Sequence, residues 1–292
     1  MNQNLIKLSF TLLIFMNGIT SHAQDSLQTK LPKDTLIKSV KKNTLVTGMA
    51  YTSKLHYYGR TDSLSSSAFI PTLLLSFKNG FYLSSNVIFI NNSTVGIEYA
   101  ATTAGVGYRS GNDQGFVFNI SADKFFYESS SLVQSAVDGQ AAVNFSYLDK
   151  ILNFHTGFST AFSENIDLNA SASLDHTFRI KKNKVNYIIT PSFTTNAGTQ
   201  NYSRTYYKNI GIIPLPVPGT SQEITESSKR FTLLSYELAL PVIMTYKKFI
   251  FNVTPSYILP QNLVAVPNRP DLSEKGNGMF YVIAAAFIKL DL

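Results

Sequence analysis

The chain has no cysteine and no tryptophan, and only 15% of its 292 residues are charged. Without cysteine there is no disulfide framework and no thiol to carry a lipid after export. Long apolar runs are missing as well. Leu8 to Met16 (LSFTLLIFM) is a short apolar core, below the roughly 20 residues that a transmembrane helix needs. Helix-type periodicity built on Glu, Lys and Ala is absent. The four histidines offer no ligand pair at a usable metal spacing, and glycine phosphate loops are lacking. No cofactor or metal is expected. The net charge of +7 is largely local, because Gln24 to Asn43 alone holds five lysines against two aspartates. Nucleic-acid binders usually gather basic residues on one face of a fold, so no nucleic-acid partner is expected.

What is present begins with an export signal. Lys7 supplies a positive start, the apolar core follows, and Ser21-His22-Ala23 offers the small residues that a signal peptidase reads. The expected layout is a signal peptide over 1–23, a Lys-rich periplasmic leader over 24–43, and one domain over 44–292. That domain is a series of segments alternating at period two, the signature of strands with one apolar face. The clearest is the last. Phe280, Val282, Ala284, Ala286, Ile288, Leu290 and Leu292 are apolar, and the set between them ends in Lys289 and Asp291. Another sets Ile166, Leu168, Ala170, Ala172 and Leu174 against Asp167, Asn169, Ser171, Ser173 and Asp175.

About twelve such segments can be read, mostly near the 9–11 residues with which a tilted strand crosses a bilayer. The third and fourth have mixed faces, so ten or fourteen strands also fit. Connections alternate in length: short turns such as Lys78-Asn79-Gly80 and Lys247-Lys248 interleave with long loops at 59–67, 197–230 and 260–278. Both termini then fall on the short-turn side. The polar face is rich in Ser, Thr, Asn and Gly, with few of the Lys and Glu that coat soluble sheets. Tyr and Phe recur near strand ends, as at Tyr108, Tyr147, Tyr246 and Tyr257, where amphipathic rings suit a membrane interface. Prolines stand in three strands, at Pro71, Pro191 and Pro255. Each removes a ladder hydrogen bond and marks a bulge or a weakly paired position.

Signal peptide, two-faced strands, loop parity and a closing terminal strand together resemble the outer-membrane β-barrel proteins of Gram-negative bacteria. The resemblance implies an all-β, antiparallel up-and-down barrel in the cell outer membrane, in contact with its lipid. It also implies that the barrel assembly machinery reads Phe280–Leu292, although this chain ends in Leu292 where that family usually ends in an aromatic residue. The expected function is a passive porin-like channel for small solutes. The alternative is a non-conducting barrel whose external loops (197–230, 260–278) bind a partner or ligand.

Lumen-lining candidates are Lys54, His56, Asp138, His155, Asp167, Asp175, Arg179, Glu237 and Lys289. A constriction loop is expected from Tyr202, Arg204, Tyr206, Tyr207, Lys208, Pro214, Pro216 and Pro218, folded back over the mouth. The resemblance also brings in a barrel phospholipase with a Ser-His-Asn arrangement on its lipid side. Here His176 faces lipid near Leu152, Phe154 and Tyr187, with no serine beside it. Ser159 merely shares a face with His155. A nucleophile needs a base in reach, so no enzyme is expected.

Overall fold

Period-two alternation with one apolar and one polar face leaves an antiparallel chain two choices, to stack as a sandwich or to close on itself. This chain closes. The computed structural model describes residues 42–60, 66–93, 96–111, 115–127, 137–162, 166–209, 221–263 and 276–292, with backbone alone over 200–229 where that range is described. The expected signal peptide and nearly all of the leader lie outside these residues.

Fifteen ladder segments follow in order: β1 (Thr44–Thr52), β2 (Ser67–Ser76), β3 (Phe81–Asn92), β4 (Gly96–Gly111), β5 (Gly115–Tyr127), β6 (Gly139–Leu148), β7 (Asn153–Phe162), β8 (Ile166–Asp175), β9 (Phe178–Lys182), β10 (Val185–Ile189), β11 (Ser192–Asn209), β12 (Ser221–Ala239), β13 (Val242–Tyr246), β14 (Phe249–Pro260) and β15 (Met279–Asp291). All pairings are antiparallel, β1 pairs β15, and β12 pairs β14, so the ring has no open end. Closure leaves no strand of the ring with a free edge apart from β9, and a closed ladder is the condition for a sheet to stand in lipid. The terminal strand is held to its end, where Leu292 N–H donates to the Asn43 carbonyl at 2.9 Å.

Three of the twelve strands are interrupted, which accounts for the fifteen segments. β8 and β9 are one strand, as are β10 and β11, and β12 and β13. The interruptions form one seam across the wall. His176 N–H donates to the Pro191 carbonyl (3.3 Å), Thr190 N–H to Pro241 (3.0 Å) and Leu240 N–H to Pro255 (3.0 Å). Prolines on adjacent strands cannot donate, so the ladder thins along a line. Pro71 acts alike, for the β2–β3 ladder pairs Phe69 and Thr72 but skips the two residues between them.

The outer face carries the apolar belt. Phe116, Phe126, Phe158, Leu238, Phe251 and Phe280 are all exposed, far more apolar surface than water tolerates on one soluble chain. Two bulges explain where alternation misleads. In β4 the register with β3 shifts between Ile88 and Phe89, passing over Ala100. The apolar set therefore changes face within the strand, which is why the third and fourth segments look mixed. In β12 the register with β11 passes over Leu234. Alternation places Leu234 on the lipid face with Tyr236 and Leu238, yet it is fully buried inside.

The lumen is also less polar than its Ser/Thr-rich reading implies. Ile70, Ile188, Ile243, Ile250 and Phe287 form a buried cluster with Leu55 along the side built by β1, β2, β10 and β13–β15. The opposite side, from β5 to β8 and β11, carries more Ser, Thr, Asn and Gln, with Phe125 and Ala161 buried toward its extracellular end.

Candidate functional site

The extracellular loop after β1 does not stay outside. β1 ends at Thr52, and the following residues turn into the lumen. Tyr57 and Arg60 exchange backbone hydrogen bonds of 2.8 and 2.9 Å around Tyr58 and Gly59, whose φ angles are 50° and 82°. Positive φ at both central residues defines a type I′ hairpin turn, easy for Gly59 and strained for Tyr58. Packing on every side holds that strain. Leu55 and Tyr58 are buried, and Tyr57 packs beside Phe125 and Ala161 on the far wall. The Arg60 guanidinium donates to the Leu234 carbonyl (3.2 Å) and the Gln261 carbonyl (2.9 Å). His56 lies edge-on to Tyr281, with centroids 4.5 Å apart. Tyr281 in turn donates its phenol to Glu237 Oε1 at 2.5 Å. The segment thus touches β5, β7, β12 and β15 at once and lies across the bore.

Burial shapes the electrostatics of this plug. It holds the His56 imidazole down to about 4, since the charged form has no water to solvate it. The Gly59 N–H also points at Nδ1 (3.3 Å), as it can only for a ring nitrogen without a proton. Burial likewise pushes the Tyr58 phenol up.

Below the plug, on the polar side, is a cavity of about 250 Å3. Its lining runs from Tyr58 and Gln140 down to Arg109 and Asp175, close to the periplasmic strand ends. Within it, Ser146 on β6 lies directly across the ladder from His155 on β7. Ser146 Oγ is 2.8 Å from His155 Nδ1, and His155 Nε2 is 2.5 Å from Asp175 Oδ2 on β8. Asn153 Nδ2 donates to Asp175 Oδ1 at 2.7 Å. Higher in the cavity, Gln140 Oε1 and Asn169 Oδ1 are buried acceptors with no hydrogen-bond donor among the described residues.

Of the residues expected to line the lumen, His155 and Asp175 meet in this cavity and Glu237 lines it higher up. His56 is in the plug and Lys54 half-buried just before it. Asp167 accepts from Thr199 Oγ1 at 3.0 Å near the extracellular end, and Lys289 is half-buried near the periplasmic end. Two depart from expectation. Asp138 is exposed at the extracellular rim, where its backbone continues the β5–β6–β7 pairing. Arg179 is exposed on β9, which pairs β10 alone and overhangs the periplasmic end.

The expected constriction loop is also corrected. Ala197–Asn209 and Ser221–Arg230 continue β11 and β12 as one paired ladder, so Tyr202, Arg204, Tyr206, Tyr207 and Lys208 belong to a strand. Pro214, Pro216 and Pro218 lie outside the described residues. β8 accompanies β11 only to Gly198, and β14 accompanies β12 only over Ser235–Ala239. The pair runs on alone for roughly 35 Å at about 3.4 Å per residue.

Sequence reasoning passes over Arg60 and the pairing of Ser146 with His155. Arg60 gives no signal, because it bonds to carbonyls far along the chain. Ser146 does give one: it sits on the polar face, and counting back across the turn that follows Leu148 sets it opposite His155.

No family model matches the chain, and no curated protein does. Among solved structures the chain is similar to LpxR from Salmonella typhimurium, at 9% identity and a TM-score of 0.44 over 84% of this chain and 99% of that one. It is similar to the NanC porin at 11% identity and 0.42, over 84% and 100%. It is also similar to an outer membrane channel from Pseudomonas putida F1 at 11% and 0.44, over 90% and 100%. Likeness this remote carries no function across. The closed wall and its apolar belt by themselves make the chain an outer-membrane-type, twelve-stranded antiparallel β-barrel.

Proposed function

We propose that this chain is an outer-membrane barrel with a closed resting lumen, acting at the cell surface through its long β11–β12 hairpin rather than as an open diffusion pore. The observation that carries the reading is the plug. Arg60 ties it to the carbonyls of Leu234 on β12 and Gln261 after β14, Leu55 and Tyr58 fill the bore, and the apolar cluster occupies the space beside it. A porin keeps a water-filled path, whereas a small barrel filled by side chains does not conduct. The free-standing hairpin supports the surface role, because a strand pair continued far past its neighbours adds area outside the membrane and nothing to the wall. A porin-like channel that opens when the plug leaves is the second reading, favoured by the polar cavity beneath it.

Planar-bilayer recording separates the two readings. The full-length protein should show no stable conductance steps at neutral pH, and deleting 54–60 behind a short Gly-containing linker should produce them. Replacing 199–228 with a short Gly-containing turn should leave a folded barrel with unchanged conductance. Steady steps from the intact protein would make it a channel, and a larger conductance after hairpin deletion would restore the constriction role.

A further inference from the structure

We propose that Ser146, His155 and Asp175 form a nucleophilic site that hydrolyses acyl esters of an extended hydroxylated alcohol within the lumen. The hydrogen-bond chain fixes the roles. A carboxylate can only accept, so the proton on His155 sits at Nε2, facing Asp175. Nδ1 then carries a lone pair and accepts the Ser146 O–H. Asp175 is buried and oriented by Asn153, which keeps the imidazole from turning. Nucleophile, base and orienting carboxylate therefore stand on three consecutive strands of a rigid wall, the arrangement by which a serine is activated.

A further observation points to a ligand. Four residues up β7 from His155, roughly 13 Å away, Ser159 pairs with Asn169, whose buried Oδ1 has no donor among the described residues, and neither has Gln140 Oε1. Acceptors left bare in a polar cavity match hydroxyl donors of a ligand, which places the alcohol part of the ester toward the plug and the acyl carbon at Ser146.

The chemistry balances with water as the second reactant. Ser146 Oγ bonds to the acyl carbon while its proton passes to His155 Nδ1. The C–O bond to the alcohol breaks, and the leaving oxygen takes that proton. Water then attacks the acyl-serine, gives its proton to Nδ1, and the Ser146 C–O bond breaks with return of the proton to Oγ, releasing the acid.

The full chain, refolded in detergent and checked by heat-modifiable gel mobility, is treated with a fluorophosphonate and separately with p-nitrophenyl butyrate. Labelling confined to Ser146, lost in S146A and slowed at least a hundredfold in H155Q and D175N, is expected, with S110A, at an exposed serine of β4 away from the cavity, labelling as the native chain does. Because the chain has no cysteine, S146C supplies a single thiol. Its alkylation by iodoacetamide should be about tenfold faster or more than in S146C/H155Q. No labelling of the folded chain, labelling unaffected by H155Q, or equal alkylation of the two cysteine variants would overturn the assignment.

Discussion

Acid should release the plug, and the size of the effect follows from one ring. His56 is buried and uncharged in the closed barrel, its imidazole held near 4 against an ordinary 6.5. Below pH 6.5 the released segment binds a proton that the closed one refuses, so closure weakens as pH falls and is strongest above pH 6.5. At pH 4.5 the shift toward release is about a hundredfold, approaching 3 kcal/mol. Tyr281 packs against the ring and carries the hydrogen bond to Glu237, while Tyr57, Glu237 and Arg60 are the titratable and charged groups near the adjacent Tyr58. Protonation also sets the charged ring against the Gly59 N–H. The assay is bilayer recording between pH 7.5 and 4.5, paired with protease cleavage within 53–60. Opening events and cleavage should rise together below pH 6 and saturate near pH 4. H56F keeps an aromatic edge on Tyr281 and removes the proton site, so it should stay closed across the range. Equal acid opening in H56F would refute the reasoning and move the trigger elsewhere.

Arg60→Met should take the guanidinium away from the Gln261 carbonyl and leave the Leu234 carbonyl only its bond from the Gln261 N–H, loosening the plug by about 2 kcal/mol, read as flickering conductance at neutral pH in a barrel of normal gel mobility. Arginine in place of Ala284, on the lipid face, should cost about 2–4 kcal/mol in refolding titrations, whereas arginine in place of the lumen-facing Ser173 should be far milder. Equal tolerance would mean that the assigned facing, or the membrane itself, is wrong. Gly48→Val should block closure of the β1–β15 seam, since a Cβ there would lie 2.1 Å from the Ala286 carbonyl oxygen, and the chain should lose heat-modifiable mobility. The native protein should resist carbonate extraction, and release into a soluble fraction would be inconsistent with a closed wall in lipid.

Much of the wall is local information. Alternation along Ile166–Asp175 and Met279–Asp291, the short turns at Lys78-Asn79-Gly80 and Lys247-Lys248, and the parity of loop lengths determine strand direction and most facing, with a strand number near twelve, because each depends on residues within a dozen positions. Prolines at 71, 191 and 255 mark ladder breaks for the same reason. What alternation cannot carry is a change of phase. The bulges at Ala100 and Leu234 follow from pairing with a neighbouring strand, and each turns a lipid-facing position inward. The plug is further removed from local signals. Tyr58-Gly59 is an ordinary turn pair, and only a lumen with an apolar side, Tyr281 beside His56, and carbonyls at Leu234 and Gln261 draw it inside. The serine, histidine and aspartate of the cavity lie between: their shared polar face is written in the sequence, but hydrogen-bond reach is set by register across β6, β7 and β8. The sequence by itself determined a membrane-spanning barrel, since period and loop length are properties of a short stretch of chain. Tertiary structure decided what fills the bore, since that depends on which distant side chains closure brings face to face.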